Sequence, residues 1–246
     1  EGRSHAERLE DEAQLTAWAA VAARRLALLP SRGPFALSRL LRGLLADELG
    51  FRGDADDYSA TRNCCLHQVL ARRKGMPILL GCVWMEVGRR AGIDVDGIGM
   101  PGHFLVRVGG PAGVHVDAFD GGQELSREGC RSLHDRIAGT KARWSDDFLR
   151  ASAVDQIVER VLNNLAATTR DEHDVAGSYR VATFLAALRP ASPERTLQKA
   201  MTAAAVGVTE EAASGFADVI ERFPDSPEAE RASAGLDALG AGLTVH

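Results

Sequence analysis

The 246-residue chain is defined first by what it lacks. No stretch approaches the roughly 18 consecutive apolar residues of a spanning helix, so an integral helical membrane protein is excluded. Cysteine is sparse, and Cys64, Cys65, Cys82 and Cys130 show neither CxxC nor Cys/His zinc spacing. A disulfide scaffold is therefore not expected, and reduced thiols in a cytoplasmic protein are. Positive charge is not in excess either. At a net charge of −5, wholesale binding to nucleic acid or to an anionic membrane is not expected, which leaves room only for a local basic patch. No metal-ligand motif and no Gly-rich phosphate loop occurs, so no cofactor is expected. Residues 1–12 are charged and carry no signal-peptide core. The chain does not open on Met, so an upstream leader stays an open alternative.

What is present is an ordinary globular balance, 45% hydrophobic and 26% charged, enough for one large domain or two small ones. Its distribution is uneven. Alanine counts 10 in residues 1–50, 8 in 51–150 and 21 in 151–246, while glycine runs 4, 15 and 6. Alanine favours helix and glycine favours turns and close backbone approach, so helical ends should flank a middle that holds the turns and strands. Helical periodicity predicts helices over 5–29, 35–48, Ser59 or Thr61 to 73, and 77–91, the last opening on Pro77 and closing at Gly92. The period then changes to two, predicting strands over 95–100, 103–108 and 114–117 with a Gly-rich hairpin loop at 109–113. From about residue 146 helix returns. There Pro190, Ser192, Pro193 and Glu194 recur 34 residues later as Pro224, Ser226, Pro227 and Glu228. That is the tetratricopeptide period, although the repeat's large aromatic positions are sparse and only about two units fit.

The hairpin has a preferred register. If Val108 faces Val114, then Phe104, Val106, Val108, Val114 and Val116 share one wholly apolar face. His103, Leu105, Arg107, His115 and Asp117 share the other. A one-residue slip would bury Asp117 in the apolar face, so burial selects the register that sets His103 and Asp117 diagonally, at about 7–8 Å between Cα atoms. A carboxylate beside an imidazole fixes its tautomer and stabilises its protonated form, as in the back half of a nucleophile–His–Asp arrangement. A polar pair that simply stabilises a hairpin is the alternative.

The segments Asn63 to Arg73, Gly75-Met76-Pro77-Ile78-Leu79-Leu80, Glu86 to Gly92, Gly99-Met100-Pro101-Gly102-His103-Phe104-Leu105-Val106-Arg107 and Val116-Asp117-Ala118-Phe119-Asp120-Gly121-Gly122 occur in that order. In order and spacing they resemble the bacterial SirB-type transglutaminase-like proteins, over about 35–245. The resemblance implies an α+β, papain/transglutaminase-like core, a helix packed on an antiparallel sheet, followed by α-helical tetratricopeptide-like repeats. It implies His103 and Asp117 as the catalytic His and Asp. The superfamily's Cys would fall at about Pro77, which carries no nucleophile. Cys82 lies about 7.5 Å further along the helix and some 140° around it, and lacks the N-terminal field that lowers a thiol pKa, so it is expected to be a packing residue. Cys64 or Cys65, on the preceding helix, is the candidate for a relocated nucleophile; nothing in the pattern assigns Cys130 a role. Asn63 is expected to bridge elements or orient a ligand. Arg107 and His115, which share the His103 face, are expected at the binding groove, Arg107 as a carboxylate binder or a rim cation.

The expected organisation is an N-terminal helix over 1–34, a transglutaminase-like core over 35–145 and a helical tetratricopeptide-like region over 146–246. The expected function is that of a transglutaminase-like pseudoenzyme: a binding or regulatory module with a peptide or protein segment in the core groove and a protein partner on the repeats. One alternative is a thiol acyltransferase or amidase using a relocated Cys with His103 and Asp117. The other is general-base catalysis by His103 without a covalent intermediate.

Overall fold

The structure is a computed structural model that describes residues 4–139 and 143–243. The chain divides into two compact units, Glu1–Ile157 and Val158–His246. The first is α+β and the second is helical among the described residues. No helix among the described residues is long and apolar enough to cross a membrane.

The first unit opens with α1 (His5–Leu28), whose Ser4 and Glu7 form a reciprocal capping box. Helix α2 (Pro34–Arg42) follows, with Pro34 in its first turn. Where one helix is expected over 35–48, the backbone widens after Arg42 into a π-helical turn, Gly43–Glu48, with Leu49 N–H donating to the Leu44 carbonyl. A two-residue strand β1 (Arg52–Gly53) pairs in parallel with β2 (Lys74–Gly75). Between them lies α3 (Leu66–Arg72), which starts later than the expected 59–61. The cause is Asn63. Its Nδ2 donates to the carbonyls of Asp57 and Tyr58, and its own carbonyl accepts from Met76 N–H, so a continuous helix cannot form through it.

The central helix α4 (Pro77–Ala91) and the four-stranded antiparallel sheet β3 (Val95–Ile98), β4 (Leu105–Val108), β5 (Val114–Asp117) and β6 (Gln123–Leu125) form the middle of this unit. The register expected for the hairpin is found: Val106 faces Val116, Arg107 faces His115 and Val108 faces Val114. Strands β3 and β4 are shorter than the patterns suggest because Gly102, at a φ of +73°, and the Met100–His103 turn take up residues 99–104. Helix α4 packs on β3 and β4, and α1 packs on α4. Close approach is possible because Gly88 faces Val95 and Gly81 faces the Phe104 ring, at positions where any side chain would collide. On the opposite face, Ile98, Met100 and Leu105 pack with Cys130 and Leu133 of α5 (Arg127–Ala138), a helix that the sequence patterns did not suggest. The sheet is thus buried on both faces.

The second unit's helices are α6 (Val154–Asp171), α7 (Val175–Leu188), α8 (Pro193–Ala205), α9 (Thr209–Arg222) and α10 (Pro227–Leu243), of which α6 begins just before the division. The recurrence seen in the sequence is geometric as well. α7 and α9 start 34 residues apart and end 34 apart, and α8 and α10 also start 34 apart. Ser192 and Ser226 each cap a helix by accepting from the N–H three residues on. The pairs stack around Leu197, Ala200, Phe216, Val219 and Ala232.

Candidate functional site

His103 and Asp117 come together at the end of the β4–β5 hairpin. His103 Nε2 lies 3.0 Å from Asp117 Oδ1 and 2.9 Å from Oδ2. Both residues are buried, at 7% and 4% exposure. Asp117 Oδ1 also accepts the backbone N–H groups of Phe119 at 3.0 Å and Asp120 at 3.3 Å. Four contacts thus fix the carboxylate, and the carboxylate in turn fixes the imidazole. The ring nitrogen that Asp117 does not engage is Nδ1. The arrangement can hold an imidazole in one orientation and one tautomer.

The pair lies in the wall of a groove of about 1030 Å³. Phe119 stands edge-on to the His103 ring at 6.0 Å and to Tyr58 at 5.9 Å. Gly53 is required beneath it, because a Cβ there would sit 2.5 Å from the Phe119 ring. The far side comes from Leu133, Arg136 and Ile137 of α5, and the π-helical turn contributes Ala46 and Asp47. No cysteine lines this groove among the described residues.

The thiols are placed elsewhere. Pro77 opens α4 and is buried. Burial pushes the Cys82 thiol up to about 11, as fits a packing residue. Cys130 is fully buried beneath the sheet, and burial, with the Asp117 charge adding to it, raises its thiol to about 11. Cys64 is buried with its Sγ 3.4 Å from Met76 Sδ, and Cys65 is the half-buried residue that precedes α3.

The other residues singled out in the sequence do not line the groove. Asn63 is fully buried as a frame residue: besides the two carbonyls it holds, its Oδ1 accepts from Arg72 at 2.9 Å. Arg72 also pairs with buried Asp54, and Lys74 lies 3.8 Å from the same carboxylate. Burial opposes ionisation of Asp54, but Arg72, Lys74 and Asn63 outweigh it and hold the carboxyl below its usual range. Arg107 and His115 do share the face that carries Asp117, yet Arg107 turns to Asp96 across the strand pair, at 2.6 Å. The pKa of His115 is depressed by burial and by the Arg107 charge, and its Nε2 has no hydrogen-bond partner among the described residues. Among the described residues, no group of three or more His, Cys, Asp and Glu side chains is placed to hold a metal.

Tyr58, Arg52, Arg136 and Ile137 were not singled out in the sequence as groove residues: they come from a loop, the two-residue β1 and α5, which only the tertiary fold brings to one cavity. Phe119 was within reach, since it lies inside the Asp-x-Phe-x-Gly-Gly segment.

Comparison with known proteins fits this geometry. Residues 10–163 match the family model described as the transglutaminase-like superfamily. A UPF0162 protein of Xylella fastidiosa is 32% identical over 186 residues, which cover 74% of this chain and 66% of that protein. A UPF0162 protein of Pseudomonas aeruginosa is 34% identical over 197 residues, 79% of this chain and 65% of its own length. The chain therefore spans just under two thirds of these relatives. F-box only protein 21 of Mus musculus is 34% identical over 99 residues, 37% of this chain and 16% of that protein. With more than half of its length matched to the family model, and its His–Asp pair set on the hairpin that this match includes, the chain belongs to the transglutaminase-like superfamily.

Proposed function

We propose that this protein is a SirB-type member of the superfamily that acts as a binding or regulatory module, with a peptide or protein segment held in the groove beside His103 and Asp117. The observation that carries this reading is the composition of the groove: an ordered His–Asp pair with no thiol among the described lining residues. A covalent acyl transfer needs a nucleophile within about 4 Å of the base. Pro77 opens the helix that would supply it, Cys82 and Cys130 have thiols at about 11, and neither Cys64 nor Cys65 lines the groove. This speaks against the relocated-thiol alternative. The 34-residue recurrence of helix pairs supports a tetratricopeptide-like platform in the second unit, suited to a protein partner. A cytoplasmic location is part of the same proposal.

A second reading keeps His103 as a general base acting on water without a covalent intermediate. It is favoured by the fixed tautomer: Asp117 engages Nε2 through both oxygens.

The test compares the full chain with a cysteine-free variant and with His103→Ala, using labelled peptides and amide reporter substrates. The binding reading expects saturable peptide binding in all three proteins and no turnover in any. Turnover that survives removal of every cysteine but is lost in His103→Ala would establish the general-base reading. Turnover lost in the cysteine-free variant would establish a thiol enzyme.

A further inference from the structure

The charges around the groove are unevenly satisfied. Most arginines of the first unit have carboxylate or hydrogen-bond partners: Arg25 with Glu48, Arg62 with Asp57, Arg72 with Asp54, Arg90 with Glu86 and Arg107 with Asp96. The groove's own arginines differ. Among the described residues, the ion-pair partner of Arg42 is Asp47, at 3.9 Å, with both side chains about half exposed. Arg52 and Arg136 line the groove and have no ion-pair partner among the described residues. They rise from different elements, Arg52 from β1 and Arg136 from the last turn of α5. The rest of the lining includes apolar and aromatic side chains partly open to solvent: Tyr58 is 45% exposed and Ile137 is 42% exposed. Three aspartates line the groove as well: Asp47 lies 3.9 Å from Arg42, Asp117 is engaged by His103 and two backbone N–H groups, and Asp120 is exposed. Two guanidinium groups without an ion-pair partner among the described residues, Arg52 and Arg136, thus stand at the groove against one exposed carboxylate, Asp120.

Resting on the groove-binding reading above, we propose that the occupant is an extended peptide segment with acidic side chains flanking an apolar one. The apolar residue sits over Tyr58, Phe119 and Ile137, and the flanking carboxylates meet Arg52 and Arg136. Guanidinium groups suit carboxylates because they present a planar fork of donors. The volume, about 1030 Å³, stands at the top of the range of roughly 300–1,000 Å³ usual for small-ligand pockets, which suits a segment of several residues. The acidic balance of the whole chain disfavours a polynucleotide, whose binding needs an extended basic surface.

The test is fluorescence anisotropy on the full chain with matched labelled peptides, each centred on Leu and flanked by Glu, by Gln or by Lys. A single-stranded oligonucleotide of equal negative charge is a further probe. The Glu peptide should bind about fivefold or more tightly than the Gln peptide, the Lys peptide should bind most weakly, and added salt should narrow the gap. Arg52→Gln and Arg136→Gln should each weaken the Glu peptide about two- to fivefold and leave the Gln peptide unchanged, as expected for exposed ion pairs. Ile137→Ser should weaken the Glu and Gln peptides alike. Equal binding of the Glu and Gln peptides, with inert arginine variants and a damaging Ile137→Ser, would overturn the acidic specificity while leaving the groove reading in place. Tighter binding of the oligonucleotide than of the Glu peptide would overturn the choice of occupant. Failure of every peptide to bind would overturn the groove reading itself.

Discussion

Gly81 sets two physical effects against each other, and the structure decides between them. It lies in the middle of α4, where replacing glycine by alanine gains about 1 kcal/mol of helix propensity. A Cβ at that position, however, would sit 2.7 Å from two atoms of the Phe104 ring. That ring is 1% exposed, and its tip is closely packed as well: a Cβ at Gly97 would come within 2.6 Å of its Cζ. The ring therefore packs into a slot made by two glycines, one on the helix and one on the sheet, at its edge and its tip. Overpacking of this kind costs about 1–3 kcal/mol, so Gly81→Ala should destabilise the first unit by about 0–2 kcal/mol net, against the helix-propensity trend. The assay is urea unfolding followed by tryptophan fluorescence. Trp18, Trp84 and Trp144 all lie in the first unit, so the signal reports on it alone. A double-mutant cycle with Phe104→Leu sharpens the test. The smaller side chain should cost less in the Gly81→Ala background than in the parent, with a coupling of about 0.5–3 kcal/mol. A Gly81→Ala protein more stable by about 1 kcal/mol, with no coupling to residue 104, would refute the slot.

Further outcomes follow from the titratable groups. With Cys82 and Cys130 raised to about 11, alkylation of both at pH 8 should be slow in the folded protein and fast in denaturant; rapid labelling at pH 6 that is lost in His103→Ala would contradict the placement of the thiols. Arg72→Ala strips buried Asp54 of its main partner and should cost about 2–3 kcal/mol in urea, less than the roughly 3–5 of a fully broken buried pair because Lys74 remains 3.8 Å away. The folded-state pKa of Asp54 is depressed, so its stabilisation is present above the unfolded carboxylate value of about 4 and is lost as pH falls through the folded value. The stability–pH curve of Arg72→Ala should accordingly be flatter in acid than that of the parent. His115 works in the same direction at a higher pH. Its folded pKa is also depressed, so as pH drops below about 6.5 the unfolded chain takes up the proton first and stability declines. His115→Gln should remove that decline, and an unchanged slope between pH 7 and 5 would show that His115 is not held neutral.

Where the sequence pattern was periodic, the fold could be read from it. The alternation through Val106, Val108, Val114 and Val116 has one register that buries four valines, and the structure adopts it. The Pro77 start and Gly92 stop of α4 are backbone constraints written into single residues. Less legible were elements that exist through partners distant in the chain. Strands β1 and β2 are two residues each, and their pairing joins positions 22 apart. Asn63 breaks a helix only because its amide finds the Asp57 and Tyr58 carbonyls. Arg107 and His115 were placed on the correct face, but nothing local indicates that Asp96 would draw Arg107 across the sheet and away from the groove. The His–Asp pair was legible because it follows from register alone. The opposite wall was not, because Arg136 and Ile137 reach the groove through packing of α5 on Leu105 and its neighbours.

The cost of burying the pair bears on what it does. Removing an imidazole and a carboxylate from water is unfavourable unless their hydrogen bonds are met, and here they are met by contacts that also shape the groove. Asp117 accepts the N–H groups of Phe119 and Asp120, which closes the turn after β5 and presents the Phe119 ring beside Gly53 and Tyr58. The Phe119 carbonyl accepts from Gly53 N–H at 2.8 Å, which ties that turn to β1 and so to Arg52. The contacts that would orient a base in a hydrolase thus build one wall of the groove and tie it to the strand that carries Arg52. On the proposed binding reading, the pair has a physical reason to be kept although no cysteine lines the groove among the described residues. On this reasoning Asp117→Asn should disturb the Phe119 side chain and peptide affinity together, whereas a purely catalytic pair would lose turnover with the groove wall intact.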